Sequence, residues 1–232
     1  MILPPVIGHR GAAALAPENT LASFARAAAC GAAMVEFDVR LSADRQPVVF
    51  HDDSLDRTTA GHGPVRRHGL AELQALGVAS LDEVLRLCGG LGLRLNMEIK
   101  PDRGDEALTA RIAVGRALAL WQGPPPLVSS FSRRALAEAR VVAPDWPRGL
   151  LVGRVPRDWA RAAERLGCVA LHADHRRLDA ALVAEIRGAG LAVLAYTVND
   201  PARAETLWRW GVASVFSDDP GAVMNKSRQK MP

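Results

Sequence analysis

Glu36 and Asp38 stand two residues apart in the apolar stretch Ala32-Ala33-Met34-Val35-Glu36-Phe37-Asp38. If that stretch is a strand, positions i and i+2 share a face, so both acids point the way Met34 points. On an interior face, two unpaired anions are costly unless a cation or donors compensate them. A third acid, Glu98, closes the run Leu93-Arg94-Leu95-Asn96-Met97, and Lys100 follows it at the same spacing. Three hard oxygen donors, with water and substrate oxygens completing the shell, suit Mg²⁺ or Ca²⁺, so Glu36, Asp38 and Glu98 are candidate ligands of one divalent cation. His9 follows Val6-Ile7-Gly8, and His51 follows Pro47-Val48-Val49-Phe50. Imidazole, with an ordinary pKa near 6.5, gives or takes a proton at neutral pH, which makes His9 and His51 the candidate acid and base. Arg10 brings a planar fork suited to phosphate oxygens. Lys100 has two readings: a point charge for the same anion, or a partner that only neutralises Glu98.

These groups need elements to hold them. Short apolar runs near 5–9, 33–39, 47–51, 92–99, 126–130, 148–153, 168–173, 191–197 and 213–217 read as strands. Ala- and Leu-rich stretches near 19–31, 80–89, 105–121, 132–143, 157–166, 178–189 and 201–210 read as helices. Gly31, Gly167, Gly190 and Gly211 stand where helices stop before strands begin. Repeated strand–helix units imply a parallel sheet, either a doubly wound open sheet or a closed (β/α)₈ (TIM) barrel. An open sheet gathers function at one switch point, from few strands. Here polar residues close strands from first to last: His9, Glu36, Asp38, His51, Glu98, Lys100, Ser130, His172, Asn199 and Asp218. A barrel brings all those strand ends around one mouth, so the α/β barrel is the expected fold. Residues 1–224 read as one such domain, and the polar, basic 225–232 as a frayed tail. Residues 52–80, with Gly61, Gly63, Pro64 and Gly69, are too long for a plain connection and read as a short insertion at the C-terminal mouth.

The 232 residues, 49% of them hydrophobic, suffice for a sizeable core. No apolar run reaches membrane-span length, and no stable membrane association is expected. Met1-Ile2-Leu3-Pro4-Pro5 leads directly into the first strand without the pattern of a signal peptide. Cys30, Cys88 and Cys168 are widely spaced and odd in number, which reads as reduced thiols in a cytoplasmic protein. The net charge of +4 comes from scattered arginines, so solvated helix faces explain it better than a nucleic-acid partner. Composition leaves the oligomeric state open.

The ordered set His9-Arg10-Gly11, Ala16-Pro17-Glu18-Asn19-Thr20, Glu36-Phe37-Asp38, His51-Asp52, Leu55-Asp56-Arg57-Thr58 and Glu98-Ile99-Lys100 resembles the signature of the glycerophosphodiester phosphodiesterases. Ser129-Ser130-Phe131, Tyr196-Thr197-Val198-Asn199 and Ser217-Asp218 extend the resemblance over residues 6–220. Pro147-Arg148-Gly149-Leu150-Leu151, Arg165-Leu166-Gly167-Cys168-Val169 and the stretch from Leu207 to Gly211 resemble the short bacterial cytoplasmic form most. The resemblance implies a TIM-barrel, metal-dependent hydrolase acting on a small-molecule glycerophosphodiester. Its products are sn-glycerol 3-phosphate and an alcohol, in glycerophospholipid breakdown. The chemistry agrees: an anionic diester repels nucleophiles and needs a cation on its non-bridging oxygens, a base, and an acid for the departing alkoxide.

Other residues have weaker expectations. Asn19 reads as a helix N-cap, and Glu18 as a group that orients Arg10 or His9. His172 and Asp174 either touch substrate hydroxyls or pack at the mouth. Tyr196, where the family often has Trp, reads as an apolar wall of the substrate site. His62, His68 and His175 read as solvated loop residues. The family usually has a longer, aromatic-bearing stretch in the insertion, so head-group recognition is expected to be loose. A phosphate-binding module on a retired barrel and a lysophospholipase D are the competing functions. The complete set His9, Arg10, Glu36, Asp38, His51, Glu98 and Lys100 argues against the first. The lack of an amphipathic anchor argues against the second.

Overall fold

The computed structural model describes residues 3–228. The order is β1 (Val6–Gly8), α1 (Leu21–Ala29), β2 (Met34–Leu41), β3 (Pro47–Val49), α2 (Leu70–Ala75), β4 (Ala79–Ser80), α3 (Leu81–Gly90), β5 (Arg94–Ile99) and α4 (Glu106–Leu120). It continues with β6 (Leu127–Ser130), α5 (Arg133–Val142), β7 (Arg148–Val152), α6 (Trp159–Leu166), β8 (Ala170–Asp174), α7 (Ala180–Gly188), β9 (Ala192–Tyr196), α8 (Pro201–Trp210), β10 (Ser214–Ser217) and α9 (Pro220–Arg228). Among the described residues, parallel strands run β1-β10-β9-β8-β7-β6-β5-β2 and close through β2 against β1, an eight-stranded TIM barrel.

Alternation along each strand builds two cores. Val35, Phe37 and Val39 of β2 point outward and pack with the apolar faces of α1, α3 and α4. Met34, two residues before Glu36, points inward and meets Ile7, Leu127, Ala170, Leu194 and Phe216, which plug the bottom of the barrel. Above that plug the inward positions turn polar. Short side-chain caps start several helices: Thr20, Ser132 and Asp179 each accept a backbone N–H of the first turn, worth about 1 kcal/mol apiece. Gly167 and Gly211 end α6 and α8 at φ of 61° and 99°, a backbone region that a Cβ disfavours.

The structure corrects the third expected strand. Residues 47–51 are not a barrel stave: β3 runs antiparallel to the upper half of β2, with Val39 opposite Val49, and β4 pairs antiparallel to β3. β2 continues past the barrel rim, and β3 folds back along it, which returns the chain to the mouth at His51. Periodicity cannot distinguish such a return strand from a stave. The segment 52–80 lies at the mouth as expected and carries its own small core of Val48, Phe50, Leu55, Val65, Leu73 and Val78. α9 carries the backbone through Arg228. Residues 229–232 lie outside the described residues.

Candidate active site

Register on two neighbouring strands assembles the acids. Glu36 sits beside Asn96 and Asp38 beside Glu98 across the β2–β5 pair. One carboxylate oxygen from each of Glu36, Asp38 and Glu98 lies within 4.8 Å of the others. The three are 4%, 1% and 9% exposed, so water does little to screen their mutual repulsion. Burial, then Asp38 and Glu98, push Glu36 well above the ordinary carboxylate range. Burial and Asp38 raise Glu98 to about 7, against the opposing pull of Lys100. Asp38 stays below its ordinary value: burial opposes its charge, but Lys100 and Arg10 outweigh it. Lys100 Nζ stands 3.3 Å from Glu98 and 3.6 Å from Asp38, so it serves both acids. Glu36 Oε1 is buried without a hydrogen-bond partner among the described residues. An orphaned oxygen in a cluster of hard, repelling donors fits a divalent cation, which would compensate all three charges at once.

Both histidines are held by carboxylates. His9 Nδ1 is 2.7 Å from Asp218 Oδ1, and His51 Nδ1 is 2.6 Å from Asp52 Oδ1. A carboxylate only accepts, so Nδ1 donates in each pair; Nε2 then accepts a proton in a neutral ring and donates one in a protonated ring. Burial pushes the His51 imidazole below its ordinary value, against the pull of Asp38 and Asp52. Asp218 is itself placed by Asn199, whose Nδ2 donates to it at 2.7 Å.

Arg10 has the left-handed φ of 48°, a conformation costing roughly 1–2 kcal/mol in a residue with a Cβ. That turn aims its N–H at Glu36 Oε2, 2.9 Å away. Its guanidinium lies 3.5 Å from Asp38 and donates to Glu18 at 2.8 Å. Glu18 therefore orients Arg10, as expected. Asn19 is a correction. Thr20 caps α1, while Asn19, at φ 58°, donates to Asp38 Oδ2 at 2.8 Å and accepts the Asp38 N–H at 3.3 Å. The residue type favours caps and left-handed turns alike, so type alone could not choose between them.

A cavity of about 440 Å³ brings together His9, Arg10, Glu36, His51, Glu98, Lys100, His172 and Tyr196. Asp38 does not line it and is covered by Asn19, Arg10 and Lys100. Asn96, Ser129, Phe131, Leu151, Asp174, His175 and Arg176 complete much of its wall. His175 is therefore no solvated loop residue: it lines the cavity, and Arg203 Nε approaches its ring at 3.3 Å. His68 is also largely covered and holds Glu72 at 2.6 Å, whereas His62 is exposed. Tyr196 donates to the Val152 carbonyl at 2.9 Å and turns its ring edge-to-face toward Phe131.

His172 is fully buried against Phe216, 5.3 Å between ring centroids, and neither ring nitrogen has a partner among the described residues. Gly149 makes room for it, since a Cβ there would stand 2.4 Å from Nε2. Burial lowers the His172 pKa to about 3, so it is neutral in the folded protein. Unfolding restores the ordinary value near 6.5, and stability is lost as pH falls below it. In paired unfolding titrations, wild type is expected to lose about 1.4 kcal/mol per pH unit relative to His172→Asn below pH 6.5. Parallel curves would show that His172 protonates freely in the folded state.

Fold and site together define a class: a barrel hydrolase that can hold a phosphate ester between paired acid–base groups. Comparison with known proteins narrows it. The sequence profile of the Glycerophosphoryl diester phosphodiesterase family matches residues 9–222, and the chain belongs to that family. A glycerophosphodiester phosphodiesterase of Caldanaerobacter subterraneus is 31% identical over 97% of this chain and 98% of its own. One from Bacillus subtilis is 30% identical over 92% of this chain and 83% of its own. An Oleispira antarctica phosphodiesterase, solved with the product sn-glycerol-3-phosphate, superposes with a TM-score of 0.94 at 39% identity over 97% of both chains. The chain is thus an enzyme of this kind, a glycerophosphodiester phosphodiesterase.

Proposed function

We propose that the enzyme uses a divalent cation held by Glu36, Asp38 and Glu98 to hydrolyse glycerophosphodiesters to sn-glycerol 3-phosphate and an alcohol, in glycerophospholipid breakdown in the cytoplasm. The observation that carries the metal dependence is the buried three-carboxylate cluster with its orphaned Glu36 oxygen. Mg²⁺ and Ca²⁺ both match that donor set, and the bound cation supplies a Lewis acid for the phosphoryl oxygens. Arg10 and Lys100, beside the same cluster, hold and neutralise the diester's anionic oxygens. His51, kept neutral by burial, takes the proton of the attacking hydroxyl, whether water or the substrate's own glycerol hydroxyl. His9, held by Asp218, delivers a proton to the departing alkoxide. His172, with two unpartnered ring nitrogens, faces the glycerol hydroxyls, and the Tyr196 ring walls them. Support for the cytoplasm comes from Cys30, Cys88 and Cys168, all unpaired. No helix among the described residues is long and apolar enough to cross a membrane.

The test is release of sn-glycerol 3-phosphate from defined diesters, read by coupling to its dehydrogenase. Asp174 and Arg176, the charged pair on the cavity wall, bond to each other at 2.8 and 3.0 Å. They therefore offer little net charge to a head group. Glycerophosphocholine, glycerophosphoethanolamine and glycerophosphoglycerol are expected to differ in kcat/KM by less than about tenfold, or roughly 1.4 kcal/mol. A preference of several orders of magnitude for one alcohol would refute loose recognition, and no release from any of them would refute the activity.

A further inference from the structure

We propose that Arg57, in the insertion at the barrel mouth, is a positioning residue that fixes the ring of His51 and the guanidinium of Arg10 through the carboxylates of Asp52 and Glu18. The inference rests on the hydrolase reading for the tasks of His51 and Arg10, and on geometry for the link between them. One edge of the Arg57 guanidinium grips Asp52, Nε to Oδ2 at 2.6 Å and Nη2 to Oδ1 at 3.0 Å. The other edge grips Glu18, Nη1 to Oε2 at 2.9 Å and Nη2 to Oε1 at 2.6 Å. Asp52 Oδ1 is the atom that receives His51 Nδ1, and Glu18 Oε1 is the atom that receives Arg10 Nη1. A continuous chain therefore runs His51–Asp52–Arg57–Glu18–Arg10, joining the loop after β3 to the loop after β1.

The Arg57 side chain is 49% exposed, so solvent screens its ion pairs and limits what they add to folding, even as bidentate pairs in a network. The backbone of His51 is held independently, since Arg40 Nε donates to its carbonyl at 2.9 Å. Arg57 therefore governs what remains free, the rotation and tautomer of the ring. Two planar forks on adjacent edges that share Nη2 are a task for guanidinium; an ammonium is a single point charge and cannot set both carboxylate planes. The insertion thereby gains a use apart from head-group recognition: it delivers the cross-brace.

The first test is the His51 tautomer, read from imidazole ¹⁵N shifts. Wild type is expected to show the Nδ1–H form, and Arg57→Met a mixture of both. On glycerophosphocholine, Arg57→Met is expected to lower kcat/KM by about 10- to 100-fold, the range seen when the partner orienting a functional side chain is lost. Arg57→Lys should restore only a minor part. The double variant with Asp52→Asn should fall well short of the product of the two single losses, because both act on the His51 ring and only the Arg10 arm is left for Arg57→Met to remove. Millimolar guanidinium should rescue Arg57→Ala, which a general loss of packing would not allow. An unchanged tautomer in Arg57→Met, or multiplicative losses in the double variant, would overturn the brace. The tautomer decides it even if wild type turns nothing over, so failure of the brace and failure of the hydrolase reading are distinguishable.

Discussion

His51→Ala is expected to lower kcat/KM on glycerophosphocholine by about 10²- to 10⁴-fold, the usual worth of a positioned general base. The loss should persist on a glycerophosphodiester with a p-nitrophenolate leaving group, because that substrate still needs its nucleophile deprotonated. His9→Ala should cost a similar factor on the natural diester and recover most of it on the nitrophenyl diester, whose leaving group needs little protonation. The proposed assignment rests on the direction in which burial pushes His51. His51 is pushed toward its neutral form by burial, as a base requires, while His9 reaches the cavity from β1 and is tied to Asp218 beside β10. Rescue of His51→Ala alone would reverse the roles. Near-wild-type rates for both variants on the natural diester would remove the two-histidine mechanism.

The carboxylate cluster has a second large consequence, for the stability of metal-free protein. Glu98 is raised to about 7 in the folded state by burial and Asp38, from an ordinary value near 4.5. Its folded state therefore binds the proton more tightly than its unfolded state. The resulting stability is fully present below pH 4.5 and is lost as pH rises through 7. Metal-free enzyme is expected to lose stability across that window as the carboxylate cluster gives up its proton. Glu98→Gln should flatten this dependence and make metal-free protein more stable than wild type at pH 8. Saturating Mg²⁺ or Ca²⁺ should stabilise wild type at that pH and leave Glu98→Gln nearly unmoved. Calorimetric unfolding with and without chelator checks each arm, and equal pH profiles for the two proteins would contradict the repulsion.

Much of this site could be read from spacing. Glu36 and Asp38 within β2, and Glu98 and Lys100 at the end of β5, each keep a two-residue period, so the strand assignments sent each pair to one face, and parallel register made them neighbours. His9 and His51 were visible because each ends a short apolar run. The partners of those residues were less legible. Asp218 and His9 meet only because the last stave pairs with the first, a closure that no local pattern encodes. Asn19 has a residue type equally at home in a cap and in a left-handed turn, and only the approach of β2 decides between them. β3 looked like a stave because an apolar run of that length serves a return strand equally well. His175 looked solvated because its 3₁₀ turn follows a strand end, yet its side chain lines the cavity.

One measurement bears on all of this. Enzyme stripped exhaustively with chelator, then assayed for sn-glycerol 3-phosphate release before and after adding one equivalent of Mg²⁺ or Ca²⁺, should be inactive and then regain turnover. Asp38→Asn and Glu98→Gln, folded but lacking a ligand, should stay inactive at the same cation concentration. Full activity in the stripped wild-type enzyme would mean that Glu36, Asp38 and Glu98 do not gather a cation for this reaction.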